Sequence, residues 1–162
     1  MYPWLVYLHL LGLFGILLAH GASSSASFAL QRERDPERIR ALLELSANSY
    51  GAMYVSILVL LASGITAGVI GHWWSQTWIR ASLILLIVIM GAMNGLGSRV
   101  YGEVRKATGL PYFEGVKQRP PIEPANKDRI SAILSRGNPV LLTLIGYGGL
   151  AAVAWLMMFK PF

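Results

Sequence analysis

Four stretches of this chain carry no charged side chain: residues 1–31, 45–79, 81–98 and 137–159. About 20 apolar residues in a helix cross the ~30 Å hydrocarbon core of a bilayer. Inside hydrocarbon every backbone N–H and C=O needs an internal partner, and an α-helix supplies one within a single segment. Only 14% of the 162 residues are charged and 54% are hydrophobic, against about 25% charged in a soluble domain. That balance excludes a soluble enzyme and a disordered chain. The sequence predicts an all-α membrane protein, an antiparallel bundle of four transmembrane helices in one membrane domain.

The spans are placed at about 3–30, 45–71, 78–99 and 138–160. Segments 31–44 and 100–137 connect them on one side, and a short turn at 72–77 on the other. Pro3 suits a first helical turn. No Lys or Arg precedes Arg32, so the first run lacks the basic start of a signal peptide and reads as a retained span. In the long connection, Arg119–Pro124 is an extended Pro-rich stretch, and Ile130–Leu134 an amphipathic lead-in to the last span.

The 14 basic residues set the orientation. Arg32, Arg34, Arg38 and Arg40 lie at the first connection. Arg99, Arg105, Lys106, Lys117, Arg119, Lys127, Arg129 and Arg136 lie at the long one, leaving only Arg80 and Lys160 for the other side. The positive-inside rule then puts both connections in the cytoplasm and both termini outside, in a multi-pass protein of the cell inner membrane. Trp4, Trp73, Trp74, Trp78 and Trp155 all fall toward the outer face, as an interfacial belt requires. The net charge of +6 thus reads as topology, and nucleic acid is rejected as a partner. With no cysteine, disulfides, thiolate metal sites and covalent c-type haem are excluded. Walker, HExxH and GxSxG motifs are also missing.

Small residues recur in the spans, at Gly64 and Gly68, Gly91 and Gly95, and Gly146, Gly148 and Gly149. Such spacing lets helix backbones approach closely, either within this bundle or in a homo-oligomer or larger membrane complex. Ser23, Ser24, Ser25 and Ser27 are expected to bond back to helix carbonyls, with an anion site as the alternative.

Ionisable groups at membrane depth are the strongest pointers to function. His9 and His20 lie 11 residues apart, so they share one helix face about 16 Å apart. Either each bonds a neighbour inside the bundle, or the pair serves stacked redox sites. Asn48, Ser49, Tyr50, Met53, Tyr54 and Asn94 are expected at the level of His20, and Thr66, His72, Arg80 and Trp155 at that of His9. Arg80 either snorkels to the interface or meets an anion such as a haem propionate. Asn94 is expected to hydrogen-bond between helices.

The start Trp4-Leu5-Val6-Tyr7-Leu8-His9-Leu10-Leu11-Gly12, with Trp78-Ile79-Arg80, Asn94 and Arg99 in the third span, resembles a group of small bacterial membrane proteins. The group includes the copper-resistance protein D family, the HemJ-type protoporphyrinogen oxidase and an uncharacterised four-helix family close to both. The likeness touches about 40% of the chain. It implies a four-helix bundle with His9 as a ligand, in a group whose HemJ-type members are similar to b-type haem proteins that oxidise a porphyrinogen. The chain departs from the group in two places. Arg80 stands where the group has Lys, which removes a group able to shift its pKa, and the Trp that follows the first histidine is absent.

The leading expectation is a bundle binding haem b for electron transfer or a porphyrin- or quinone-linked oxidation. His9 is its first axial ligand and His20 its second, with Arg80, Asn94 and Tyr54 around the cofactor and His72 a further metal candidate. The alternatives are a cofactor-free scaffold or small subunit of a larger complex, and copper handling through Met53, Met90, Met93, Met157 and Met158.

Overall fold

The computed structural model describes residues 2–115 and 117–161. Three long helices come first: α1 (Tyr2–Arg32), α2 (Pro36–Ile70) and α3 (Thr77–Ala107). A two-stranded antiparallel hairpin follows, β1 (Tyr112–Glu114) with β2 (Lys117–Arg119), and then the short helix α4 (Lys127–Leu134). The last span, Pro139–Phe159, is α5 (Pro139–Thr143), one wide π-type turn (Leu144–Gly148) and α6 (Gly149–Phe159). All four spans are long and apolar enough to cross a membrane, so the chain is a helical, multi-pass membrane protein.

The connections are tighter than the segments read from sequence. α2 begins at Pro36 and α3 continues to Ala107. Only residues 33–35 separate α1 from α2. Glu33 makes that reversal by accepting the backbone N–H groups of Asp35 at 3.0 Å and Arg34 at 2.9 Å. Those two bonds, Asp35 first, hold the Glu33 carboxyl below the ordinary glutamate pKa. Asp35 then caps α2 by accepting from the N–H of Glu37, with Pro36 in the first turn. Asn126 and Asn138 cap α4 and α5 in the same way, each accepting from the N–H three residues on at 2.9 Å. The hairpin, not expected from the sequence, lies just before the stretch read as extended, and the amphipathic lead-in is a true helix that buries Ile130, Ile133 and Leu134.

At about 1.5 Å per residue, α1 and α3 are about 46 Å long and α2 about 52 Å. Each exceeds the ~30 Å apolar slab. The surplus stands beyond the slab at the end bearing the basic connections, and it is built there into a packed cap. Leu30 of α1, Ile39 and Leu43 of α2, Val104 and Ala107 of α3, and Ile130, Ile133 and Leu134 of α4 form one buried cluster. Polar ties close it. Arg40 donates to the Thr108 carbonyl at 2.6 Å, Arg105 reaches Glu44 at 2.8 Å, and Gln31 donates to the Leu134 carbonyl at 2.8 Å.

Within the spans the packing is thinner. α1 lies chiefly along α2, and α3 chiefly along α6. One buried layer, Ile16, Leu60, Leu86 and Leu150, takes one residue from each span. Serines bond back to their own helices, as Ser27 does to the Ser23 carbonyl and Ser82 to the Trp78 carbonyl. Ser23 also meets Ser46 of α2 at 2.9 Å. Gly91 and Gly95 face open space, so this pair packs no helix of the chain itself.

The opposite end is aromatic. Tyr2 meets Trp73 edge-on, Trp73 leans on Trp78, and the Lys160 ammonium sits 5.2 Å and 5.3 Å above those two indoles. This clasp ties the end of α6 to the turn between α2 and α3.

Candidate functional site

The two intramembrane histidines occupy different seams. His9 lies between α1 and α2, where its Nδ1 stands 2.9 Å from the Leu60 carbonyl. A carbonyl only accepts, so Nδ1 carries the proton and Nε2 keeps a free lone pair. Ser63, whose hydroxyl donates to the Val59 carbonyl at 2.6 Å, is 3.5 Å from the same nitrogen. The imidazole rests on Gly64: a β-carbon there would come within 2.8 Å of His9 Cε1. A glycine at that point is what lets the ring enter the helix pair.

His20 is buried and faces the last span. Its ring meets Tyr147 edge-on, with centroids 4.7 Å apart, and its Nε2 is 3.4 Å from the Ser24 hydroxyl one turn along α1. Gly146 lies directly against the imidazole, so close that any β-carbon there would overlap the ring. Gly146 and Tyr147 both belong to the wide turn Leu144–Gly148. A π-type turn carries one extra residue per turn and shifts the side chains that follow it. Here it presents a bare glycine to the imidazole and an aromatic ring beside it.

The remaining sequence-derived candidates are not gathered around either ring. Arg80 is exposed and donates to the Ser75 carbonyl at 3.3 Å, a local contact at the end of the span. Tyr54 and Asn94 are exposed. His72 is exposed in the turn, in a left-handed backbone conformation at φ 53°. Among the described residues, no three His, Asp or Glu side chains converge as a metal cage.

Sequence reasoning placed α2 and α3 around His20, but the neighbours come from the last span. Gly64 and Gly146 were visible as small residues and were read as helix-packing positions. Their part in seating the imidazoles, and the contacts of Leu60 and Tyr147, depend on rotation and register between helices. A run of apolar residues does not encode either.

An apolar groove of about 340 Å³ lies between α1 and α6, lined by Leu13, Leu17, Tyr147, Leu150, Ala151 and Ala154. The fit to a haem differs between the two histidines. Ser24, Gly146 and Tyr147 crowd the Nε2 edge of the His20 ring. His9 keeps one uncommitted nitrogen, enough for a single axial bond.

Comparison with protein-family models, with characterised proteins and with solved structures finds no match to this chain.

Proposed function

We propose that the chain is a structural component of the cell inner membrane, a scaffold or small subunit of a larger membrane complex, in which His9 and His20 fasten α1 to its neighbours. One observation carries this reading: each imidazole is seated in a glycine notch of a facing helix, Gly64 for His9 and Gly146 for His20. Polar side chains that hydrogen-bond between helices are a recognised adhesive in apolar surroundings, where the hydrophobic effect between helices is absent. With 12 of the 14 basic residues on the side of the two connections, the cap faces the cytoplasm.

The test is purification in mild detergent from haem-replete cells. A colourless, iron-free protein whose thermal stability falls in both His9→Ala and His20→Ala supports the structural reading. A Soret band that disappears in His9→Ala overturns it. The orientation is tested separately. Since the chain has no cysteine, His72→Cys and Lys127→Cys each give a unique label. An impermeant maleimide added to intact spheroplasts is expected to modify the first and spare the second.

A specific observation favours a second reading, haem binding through His9 alone. The proton on Nδ1 is held by the Leu60 carbonyl, which orients the ring and leaves Nε2 as the lone-pair donor. A backbone acceptor on the far nitrogen is a common support for a ligating histidine. The group would supply one-electron chemistry when bound. The chain's part would be to hold that imidazole neutral and fixed.

A further inference from the structure

A cavity of about 240 Å³ opens between α3 and the start of the last span, at the end bearing the cap. Its polar lining is Arg99, Tyr101, Arg136 and Asn138, and its apolar lining includes Leu96, Leu141 and Leu142. The two kinds of residue are segregated by depth. α3 runs toward the cap, so Leu96 lies deeper in the membrane than Arg99. The last span runs away from it, so Leu141 and Leu142 lie deeper than Arg136. The uncharged runs 81–98 and 137–159 end right beside the two arginines, which puts both guanidinium groups at one boundary of the apolar slab.

The local charge is unbalanced. Arg136 has one loose carboxylate neighbour, Glu103 at 3.9 Å, and its side chain is 69% exposed. Among the described residues no carboxylate pairs with Arg99. Asn138 already accepts the Leu141 N–H through its Oδ1, leaving its amide N–H₂ to donate. A planar guanidinium suits phosphate oxygens with paired donors.

We infer that this cleft is a binding site for an anionic phospholipid of the same leaflet, its phosphate between Arg99 and Arg136 and its acyl chain along Leu96 and Leu141. The amphipathic layering is what selects a lipid over a free anion. A soluble phosphate needs the arginines alone, whereas a lipid also covers Leu96 and Leu141, which are 44% and 42% exposed. Basic pockets between spans on the inner side of a membrane are favourable places for anionic headgroups. The inference is independent of what the histidines do.

The test uses the full chain in a nonionic detergent, titrated with phosphatidylglycerol, phosphatidylcholine or inorganic phosphate. Thermal stability and native mass spectrometry are the two readouts. Phosphatidylglycerol is expected to stay bound and raise the melting temperature, and the other two to do neither. Arg99→Gln and Arg136→Gln should each weaken that binding about fivefold, and the pair about 25-fold. The double lysine variant should keep most of it, and Arg80→Gln, at the far end, should change nothing. If the glutamine pair does not fold, the single variants carry the measurement. Equal retention of phosphatidylcholine overturns the inference, as does undiminished phosphatidylglycerol binding by a folded glutamine pair. An equal shift from inorganic phosphate alone also overturns it, assigning the cleft to a free anion.

Discussion

The cap and the membrane-embedded part of the bundle share α1, α2 and α3 but are built on opposite principles. In the cap, Leu30, Val104, Leu134 and Thr108 are at most 1% exposed, and Arg40, Arg105 and Gln31 each secure a carbonyl or carboxylate of another element. Water surrounds that end, so apolar burial contributes its full ~25 cal/mol per Å². In the spans, large side chains such as Leu18, Leu58 and Ile87 face outward, and the apolar core cluster there has one buried residue from each span. Lipid tails are as apolar as leucine, so little is gained there by hiding one side chain from another. Close approach at glycine and a few interhelical hydrogen bonds take over. Cohesion is thus concentrated at the watery end.

Paired truncations offer the largest effect and the most direct way to break this contrast. Leu134→Ala in the cap is expected to lose about 3 kcal/mol, from both transfer and cavity terms. Leu86→Ala in the membrane layer should lose about 1 kcal/mol, because only the packing term remains. Unfolding in detergent micelles measures both, and equal losses would remove the distinction. Arg105→Ala should cost about 2 kcal/mol, since it abandons Glu44 and the Pro111 carbonyl, which it meets at 2.8 Å and 2.9 Å. Hydrogen exchange should quicken around Tyr112 and leave the centre of α1 unchanged. Quickening spread evenly over the chain would mean the cap is not a separate unit.

The next two predictions sharpen the membrane side. Gly146→Val should cost about 1.5 kcal/mol by overpacking against the His20 ring. His20→Ala should recover part of that loss, giving a non-additive cycle; additive losses would show that ring and glycine do not meet. His9→Ala should cost about 1 kcal/mol, the scale of one interhelical hydrogen bond in a membrane plus a small void. The smallest effect concerns the reversal at Glu33. Its carboxyl pKa is lowered in the fold by the Asp35 and Arg34 amides, so its contribution is complete above the ordinary glutamate value. It disappears as pH falls through the lowered one. Melting curves from neutral to acidic pH should show a slightly smaller acid loss in Glu33→Gln than in the native chain.

The four spans were legible because lipid imposes a compositional demand that leaves long uncharged runs. The aromatic end was legible for the same reason, through tryptophan placement. Ile130–Leu134 announced itself by its period. The partners of His20 did not, because a helix apolar all round carries no mark of which face meets which neighbour, and the wide turn at Leu144–Gly148 has no composition distinguishing it from a plain glycine-rich helix. The hairpin 112–119 escaped for a different reason. Its register is supported by ion pairs such as Arg119 with Glu114 at 3.0 Å, and it precedes the Pro-rich stretch Arg119–Pro124, with no alternating apolar pattern to mark it.

The last span differs mechanically from the others. α1, α2 and α3 run unbroken from the aromatic clasp into the cap, so each acts as a stiff shaft linking the two membrane faces. The final span is jointed, at Gly137 before it starts and again at its wide turn, and the second joint bears on the His20 ring. Any twist imposed on the cap therefore arrives whole through three shafts and is taken up in the jointed one, beside a buried imidazole.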